Sequence, residues 1–369
     1  MKPCSLLLAT ITAIAAATIQ TTPLHAQEPT QATDTQAHMA PYVPRVGRTH
    51  PVVAVVAEKS AVLTDFIVPY GALAQSGLAD VVALNAKPGN LQLGPVTIQP
   101  DASLAQFDAR YPDGADYVIV PATSSHHEEE IEWLKAQAAK GATLISICDG
   151  VEVLADAGLL HDKTATGHWA SYAKRTTKYP DTHWQTNVRY VVDGKIVSSA
   201  GISAALPTAL ALVEAIGGTD QASALAQTWG VANWSTQHRS DAFSIRYSDR
   251  LTDWINMNLH DTDTIAMPIA SGVDEIALAL QAEAWSRTMR SRAVVVAATT
   301  APVRTRGGLM VIPSATIGAA APAALTVDLN DGTKDGQMLD VTLDAIAKRY
   351  NRRTAGLAAL AFEYPWKGL

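Results

Sequence analysis

The chain has 369 residues, 48% of them hydrophobic and 17% charged, enough apolar material for one large domain or two ordinary ones. Lys and Arg number 28 against 35 Asp and Glu, a net charge of −7 with no basic run, which argues against nucleic acid as a partner. Its two cysteines, Cys4 and Cys148, are too few for a disulfide framework.

In chain order, Lys2, the apolar run from Leu6 to Ile19 and Leu24-His25-Ala26 read as a secretory signal peptide over residues 1–26, cleaved after Ala26. The apolar run is too short to span a bilayer, so the mature form is expected to be periplasmic or secreted, without membrane insertion. Cys4 precedes that run and leaves with the signal, which gives the mature chain a single thiol. A lone cysteine in an oxidising compartment is either buried or chemically used. Residues 27–47, rich in Thr, Gln, Ala and Pro without an apolar period, read as a disordered leader.

The apolar run Val52 to Val56 predicts a first strand, followed by a helix from about Val62 to Gly77 and a strand from Asp80 to Asn85. An extended stretch Leu91 to Ile98 and a strand Tyr117 to Val120 come next. After the polar loop Thr123 to His127, a helix Glu128 to Lys140 is expected, then a strand running from Thr143 through Cys148 into a helix Val151 to Leu160. Apolar strands alternating with helices predict an α/β fold, a parallel-sheet flavodoxin-like sandwich covered on both faces. Sites in such folds lie at the carboxyl ends of strands, where Cys148, the Pro121–Ser125 loop and the loop after Val56 converge.

Strand, sharp turn and helix around Cys148 have the layout of a nucleophile elbow, where the positive end of a helix lowers the thiol pKa. A buried core cysteine is the competing reading. His168, twenty positions further on, is the first candidate partner, because the intervening helix and turn would return the chain to the elbow. His126-His127-Glu128-Glu129-Glu130 offers metal-ligating types, yet adjacent ligands at a loop–helix junction without a partner cluster do not make a site, so no metal and no cofactor are expected. Trp169 beside His168 is a candidate pocket wall, whereas His183-Trp184 reads as a surface loop.

The later sequence repeats the earlier. Ile265 to Ile269 and a helix Asp274 to Thr288 echo the first strand and helix; Pro302 to Pro313 parallels Pro88 to Pro100; Leu339 to Trp366 parallels Leu206 to Trp234. Between Asp328 and Leu339 there is no room for the elbow and His segment. The expected organisation is a domain over 48–235, a connecting segment over 236–263 and a degenerate second copy over 264–369 that lacks the elbow. The copy would pack on the first as an intramolecular pseudo-dimer, with a homodimer also open.

The run ICDGVEVLADAGLLHDKTATGHW at residues 147–169 resembles the PfpI/ThiJ superfamily, and within it the amidotransferase-like domains of AraC-type regulators and the isocyanide hydratases. The resemblance covers about Pro51 to Gly218, including Ser199 to Ala204, and implies the class I glutamine-amidotransferase-like fold with Cys148 as nucleophile. It also implies an acidic partner in the helix after the first strand, four residues before a proline, which falls on Asp65 ahead of Pro69; Glu58 reads as a loop charge. Ala122-Thr123 stand where the family has Gly-Gly, with backbone N–H groups for an oxyanion, and Asp149 stands where the hydratases have Thr, ahead of Gly150. Asp149 is read as an outward first-turn helix charge.

The implied activity is a cysteine-dependent hydratase or hydrolase type of addition to a small electrophilic carbon. Cys148 adds to that carbon, Asp65 moves the proton, His168 orients the thiol, and N–H groups near Ala122 and Asp149 hold developing charge. The alternative is a non-catalytic ligand or redox sensor related to the regulator domains but without DNA binding of its own, and a third reading is a scaffold whose site has decayed.

Overall fold

The computed structural model describes residues 38–319 and 322–368. The expected signal peptide and the leader up to residue 37 lie outside the described residues. The rest of the expected leader has no helix or strand but is not a free tether: Met39 is buried, the Tyr42 N–H donates to the Ala215 carbonyl at 2.8 Å, and Arg45 pairs with Asp116 at 2.9 Å. Apolar burial and a half-buried ion pair overrule the polar composition, so the leader expectation is corrected from Met39 onward.

The first unit runs β1 (Val52–Ala57), α1 (Leu63–Ser76), β2 (Asp80–Asn85), β3 (Leu91–Leu93), β4 (Val96–Gln99), β5 (Ala102–Ser103), α2 (Leu104–Arg110), β6 (Tyr117–Val120), α3 (Glu128–Ala139), β7 (Thr143–Ser146) and α4 (Gly150–Asp156). It continues through β8 (Thr164–Ala165), α5 (Tyr172–Lys178), β9 (His183–Trp184), β10 (Tyr190–Asp193), β11 (Ile196–Ser199), α6 (Ala205–Gly217) and α7 (Thr219–Trp229). Seven strands form one sheet in the order β10-β11-β7-β6-β1-β2-β5, with every pairing parallel except β10 with β11. Successive side chains of β1 enter different cores. Val53 and Val55 pack with α1 and α6; Val52, Ala54 and Val56 pack with α2, α3 and α4. A strand buried on both faces has no room for polar alternation, which is why it reads as a continuous apolar run.

Three boundaries differ from the sequence reading, one of them the helix expected to run to Leu160, which ends at Asp156. The stretch Leu91 to Ile98 is a hairpin, since Gly94 takes a left-handed φ of 53° and turns β3 onto β4. The strand expected to run through Cys148 ends at Ser146, because Cys148 itself leaves extended backbone.

The connecting segment carries α8 (Tyr247–Asn258), and the second unit follows as β12 (Asp263–Pro268), α9 (Glu275–Ser286), β13 (Ser291–Ala297), β14 (Val303–Arg304), β15 (Met310–Ile312), β16 (Ala315–Thr316), β17 (Leu325–Thr326), α10 (Met338–Arg349) and α11 (Arg352–Ala361). Its four parallel strands lie in the order β16-β13-β12-β17, which repeats β5-β2-β1-β6 of the first sheet. From β17 the chain passes to α10 and α11, so among the described residues nothing answers to β7, β11 or the elbow. The two units join at corresponding elements. Helix α1 lies along α9, so close that a Cβ on Gly71 would meet Glu275 Cγ at 2.8 Å. Hairpin strand β15 pairs antiparallel with β4, Val311 opposite Ile98, in a four-stranded sheet β14-β15-β4-β3.

Candidate functional site

Cys148 sits in the turn between β7 and α4 at φ 57°, a left-handed conformation that a non-glycine residue adopts only where its surroundings enforce it. Its N–H donates to the Ala200 carbonyl at 3.1 Å, which fixes the turn against the loop after β11. Two residues on, a Cβ at Gly150 would lie 2.1 Å from the Val120 carbonyl oxygen. Gly150 therefore serves the close crossing of the elbow over β6. This much is the expected elbow.

Asp65, in the first turn of α1, is fully buried and accepts a hydrogen bond from the Ala122 N–H through Oδ2 at 3.2 Å, while its Oδ1 is buried without a partner. Burial, reinforced by the nearby Glu283 carboxylate, pushes the Asp65 carboxyl well above its ordinary range and outweighs the Ala122 N–H. Cys148 is 5% exposed, and burial followed by the charges of Asp65 and Asp149 pushes its thiol well up, against the Asp149 N–H, which favours the thiolate. The expectation of a thiol activated by its helix end is therefore corrected. One N–H at the start of a seven-residue helix is outweighed by desolvation and two carboxylates.

The remaining expected residues are distributed unevenly. The His168 ring is held by backbone on both sides: Nδ1 accepts from the Ala170 N–H at 3.3 Å and Nε2 meets the Ala361 carbonyl at 3.3 Å. Both nitrogens are thus engaged away from the thiol, which corrects its expected role in orienting Cys148, and burial lowers its pKa. Ala122 spends its N–H on Asp65. The Thr123 hydroxyl joins Ser60 and Ser125 in a surface network. The Asp149 carboxylate meets Ser171 and pairs with Arg175 at 3.1 Å; it is a partnered charge, not a free helix-end one. Arg175 is 1% exposed, with a buried Nε that lacks a partner, and its Nη1 also donates to the His168 carbonyl at 2.6 Å. Next to it a cleft of about 390 Å³ is lined by Trp169, Tyr172, Arg175, Gln185, Asn187 and Phe243, so Trp169 is a pocket wall as expected.

The roof of the site comes from the second unit. Glu283 of α9 accepts from the Thr64 N–H at 2.8 Å and from the Thr64 hydroxyl, and so caps the helix that carries Asp65, whose own N-cap Val62 has no side-chain acceptor. Arg287 donates to Glu283 at 2.6 Å. Glu363, following α11 at φ 53°, is fully buried and takes four hydrogen bonds: from Gly201 N–H at 2.7 Å, Trp169 N–H at 3.2 Å, Ser240 hydroxyl at 2.7 Å and the His238 ring at 2.8 Å. Burial alone would push Glu363 up, but the hydrogen bond and charge of His238, with His168 and Ser240, bring it below its ordinary range. Local pattern gave no sign of these residues, because their partners lie more than 120 positions away in sequence.

Residues 51–215 match the family model described as the DJ-1/PfpI family. They form a DJ-1/PfpI domain. Over 148 residues the chain is 30% identical to an isonitrile hydratase of Pseudomonas putida, covering 39% of this chain and 59% of that protein. It is 35% identical over 83 residues to the HTH-type transcriptional regulator CdhR of Pseudomonas aeruginosa, covering 22% of this chain and 24% of the regulator. The chain thus spans less than two thirds of either curated relative. Among solved structures, Drosophila melanogaster DJ-1beta aligns with a TM-score of 0.46 at 22% identity, over 50% of this chain and 100% of its own.

Beside the elbow of the DJ-1/PfpI domain lies a second acidic pair. Glu58, read from sequence as a loop charge, is buried, accepts from the His127 N–H at 3.1 Å and meets the His127 ring at 3.2 Å. It faces buried Glu130, whose carboxyl is raised to about 8 by burial and by Glu58. A carboxyl raised from 4.5 to about 8 stabilises the fold fully below its unfolded value, and that contribution is lost as pH rises through about 8. The slope is up to about 1.4 kcal/mol per pH unit. Asp335, raised to about 7 by burial and Asp274, acts with the same sign, so the comparison is with a variant. Thermal melts from pH 5 to 9 are expected to show wild type declining more steeply than Glu130→Gln, with the two curves converging toward low pH.

Proposed function

We propose that this protein is an exported cysteine-dependent hydratase that adds water to a small electrophilic carbon, with an isonitrile carbon as the first substrate class to test. The observation that carries this reading is the buried pair at the elbow: Cys148 in a left-handed turn with the uptitrated Asp65 carboxyl beside it and a free Asp65 Oδ1. In this mechanism the Cys148 sulfur bonds to the terminal carbon of R–NC. The thiol proton reaches that carbon by way of Asp65, giving a thioimidate. Water then attacks the thioimidate carbon, the carbon–sulfur bond breaks, the thiol regains a proton, and R–NH–CHO leaves. The sum is one water added, with no redox change.

Two features favour this chemistry over amide or carbonyl hydrolysis. Acyl transfer needs N–H donors aimed at an oxyanion, and the Ala122 donor is committed to Asp65, whereas proton delivery to carbon needs only the acid. A terminal isonitrile carbon is also a narrow electrophile, suited to a thiol only 5% exposed. The relation to the Pseudomonas putida hydratase supports the same class. The second unit acts in this reading as a built-in partner, a duplicated copy that gave up its elbow and kept the roof. The Lys2–Ala26 signal supports export.

Incubation with an alkyl isonitrile is expected to yield the N-alkylformamide with wild type and to lose it in Cys148→Ala and Asp65→Asn, followed by chromatography. No formamide from correctly folded wild type overturns the hydratase reading. The high thiol pKa favours one alternative, a ligand sensor that uses the cleft without covalent chemistry. That reading predicts quenching of Trp169 fluorescence by the isonitrile, equal in wild type and Cys148→Ala, with no turnover.

A further inference from the structure

Helix α8 is amphipathic in the inverted sense. Its buried residues are Thr252 and Asn256, and Asn256 donates inward to the Thr288 carbonyl at 2.9 Å and to the Thr354 hydroxyl at 3.1 Å. Ile255 is half-buried, but its other large apolar side chains point outward: Tyr247 is 83% exposed, Leu251 43%, Trp254 54% and Met257 61%. Tyr247, Leu251 and Trp254 are spaced i, i+4, i+7, a continuous stripe on one helix face. Ile245 and Leu259, beyond the two helix ends, are exposed as well. The four helix side chains present roughly 480 Å² of surface, taking about 200 Å² for each fully exposed large side chain. That is the size of the largest apolar patch on a typical monomer, which is often functional, and more than half of the ~800 Å² that each partner contributes to a standard interface.

We propose that this face pairs with its copy on a second molecule, two α8 helices lying antiparallel about a twofold axis near Leu251 and Trp254. Two further properties select a second copy as the occupant. One pair of charges is self-complementary when the helix is reversed: Arg250 lies in the N-terminal half and Asp253 beyond it, while Arg246 already faces Asp249 at 4.0 Å. Antiparallel pairing sets Arg250 of one molecule beside Asp253 of the other, and among the described residues neither forms an ion pair within its own chain. Reversal also sets the helix dipoles head to tail. An anionic membrane surface would instead call for a basic polar face, which α8, with Asp249 and Asp253 beside Arg246 and Arg250, does not have. The twofold stripe satisfies isologous closure, in which the same patch serves both subunits.

The test is the molar mass of the intact mature protein by size-exclusion chromatography with light scattering at tens of micromolar, alongside Trp254→Glu, Arg250→Glu and the double swap Arg250→Glu/Asp253→Arg. Wild type is expected to be a dimer and Trp254→Glu a monomer with unchanged circular dichroism and melting, since Trp254 leaves the monomer core untouched. Arg250→Glu is expected to weaken the dimer at least tenfold, and the double swap to restore it, because reversal of both charges keeps an antiparallel pair complementary. A monomeric wild type overturns the proposal, including one that binds lipid vesicles through Trp254. So does a dimer that survives Trp254→Glu, or a double swap weaker than the single.

Discussion

Replacing Glu363 by Ala is expected to cost about 3 to 5 kcal/mol of folding stability, read as the shift in a guanidinium chloride midpoint at constant slope. The side chain is fully buried and satisfies Gly201 N–H, Trp169 N–H, Ser240 and His238; truncation leaves all four donors without that acceptor. The gap cannot be filled by a bulkier neighbour on the Gly201 side, where even a Cβ would come within 2.6 Å of Glu363 and 2.7 Å of His168. Glu363→Gln keeps the shape and one acceptor, and is expected to cost less, about 1 to 2 kcal/mol. The pH dependence gives an independent check. A carboxyl held below its ordinary 4.5 contributes stability above that value and loses it as pH falls through the lowered one, so the acid arm of the stability profile should be shallower in both variants. A loss under about 1 kcal/mol for the Ala variant would mean that the second unit is a passenger on the first. The functional counterpart is access: the His168–Trp169 segment and the Gly201 loop, freed from their common acceptor, should expose Cys148 and raise its alkylation rate.

How much of this was legible in the sequence follows the range of the interactions involved. The strands β1, β2 and β6 and the elbow are written in runs of adjacent apolar residues and in the shift from strand to helix period around Cys148, so they read correctly from local pattern. The repeat of strand order β5-β2-β1-β6 by β16-β13-β12-β17 was visible as parallel segments, and the matched hairpins Pro88 to Pro100 and Pro302 to Pro313 turn out to pair with each other through β4 and β15. The sign of the Cys148 shift was misread because a helix end is evident in sequence whereas burial and the approach of Asp65 are not. His168 was misassigned for a related reason: spacing returned it to the site, but ring orientation is decided by the Ala361 carbonyl, contributed 193 positions later. The acceptors Glu283 and Glu363 are ordinary glutamates in their own neighbourhoods, and only the packing of one unit on the other gives them roles.

Asp65→Asn is expected to separate thiol ionisation from catalysis in opposite directions. In wild type the thiol ionises against burial and against the Asp65 charge, the second-largest cause of its upward shift. An amide removes that charge while keeping an oxygen for the Ala122 N–H, so the pH profile of iodoacetamide alkylation of Cys148 should move to lower pH. Because the two groups interact, the wild-type profile belongs to the pair and the variant's to the thiol alone. Turnover should nevertheless fall about 10²- to 10⁴-fold, since the amide cannot carry the proton from sulfur to the substrate carbon. A thiol that ionises more easily yet works less well is the signature of Asp65 as proton carrier. If the profile moves down and turnover rises with it, Asp65 is only an inhibitory charge and the acid must be sought elsewhere. If neither changes, Asp65 and Cys148 are not electrostatically coupled, and the buried pair on which the hydratase reading rests is lost.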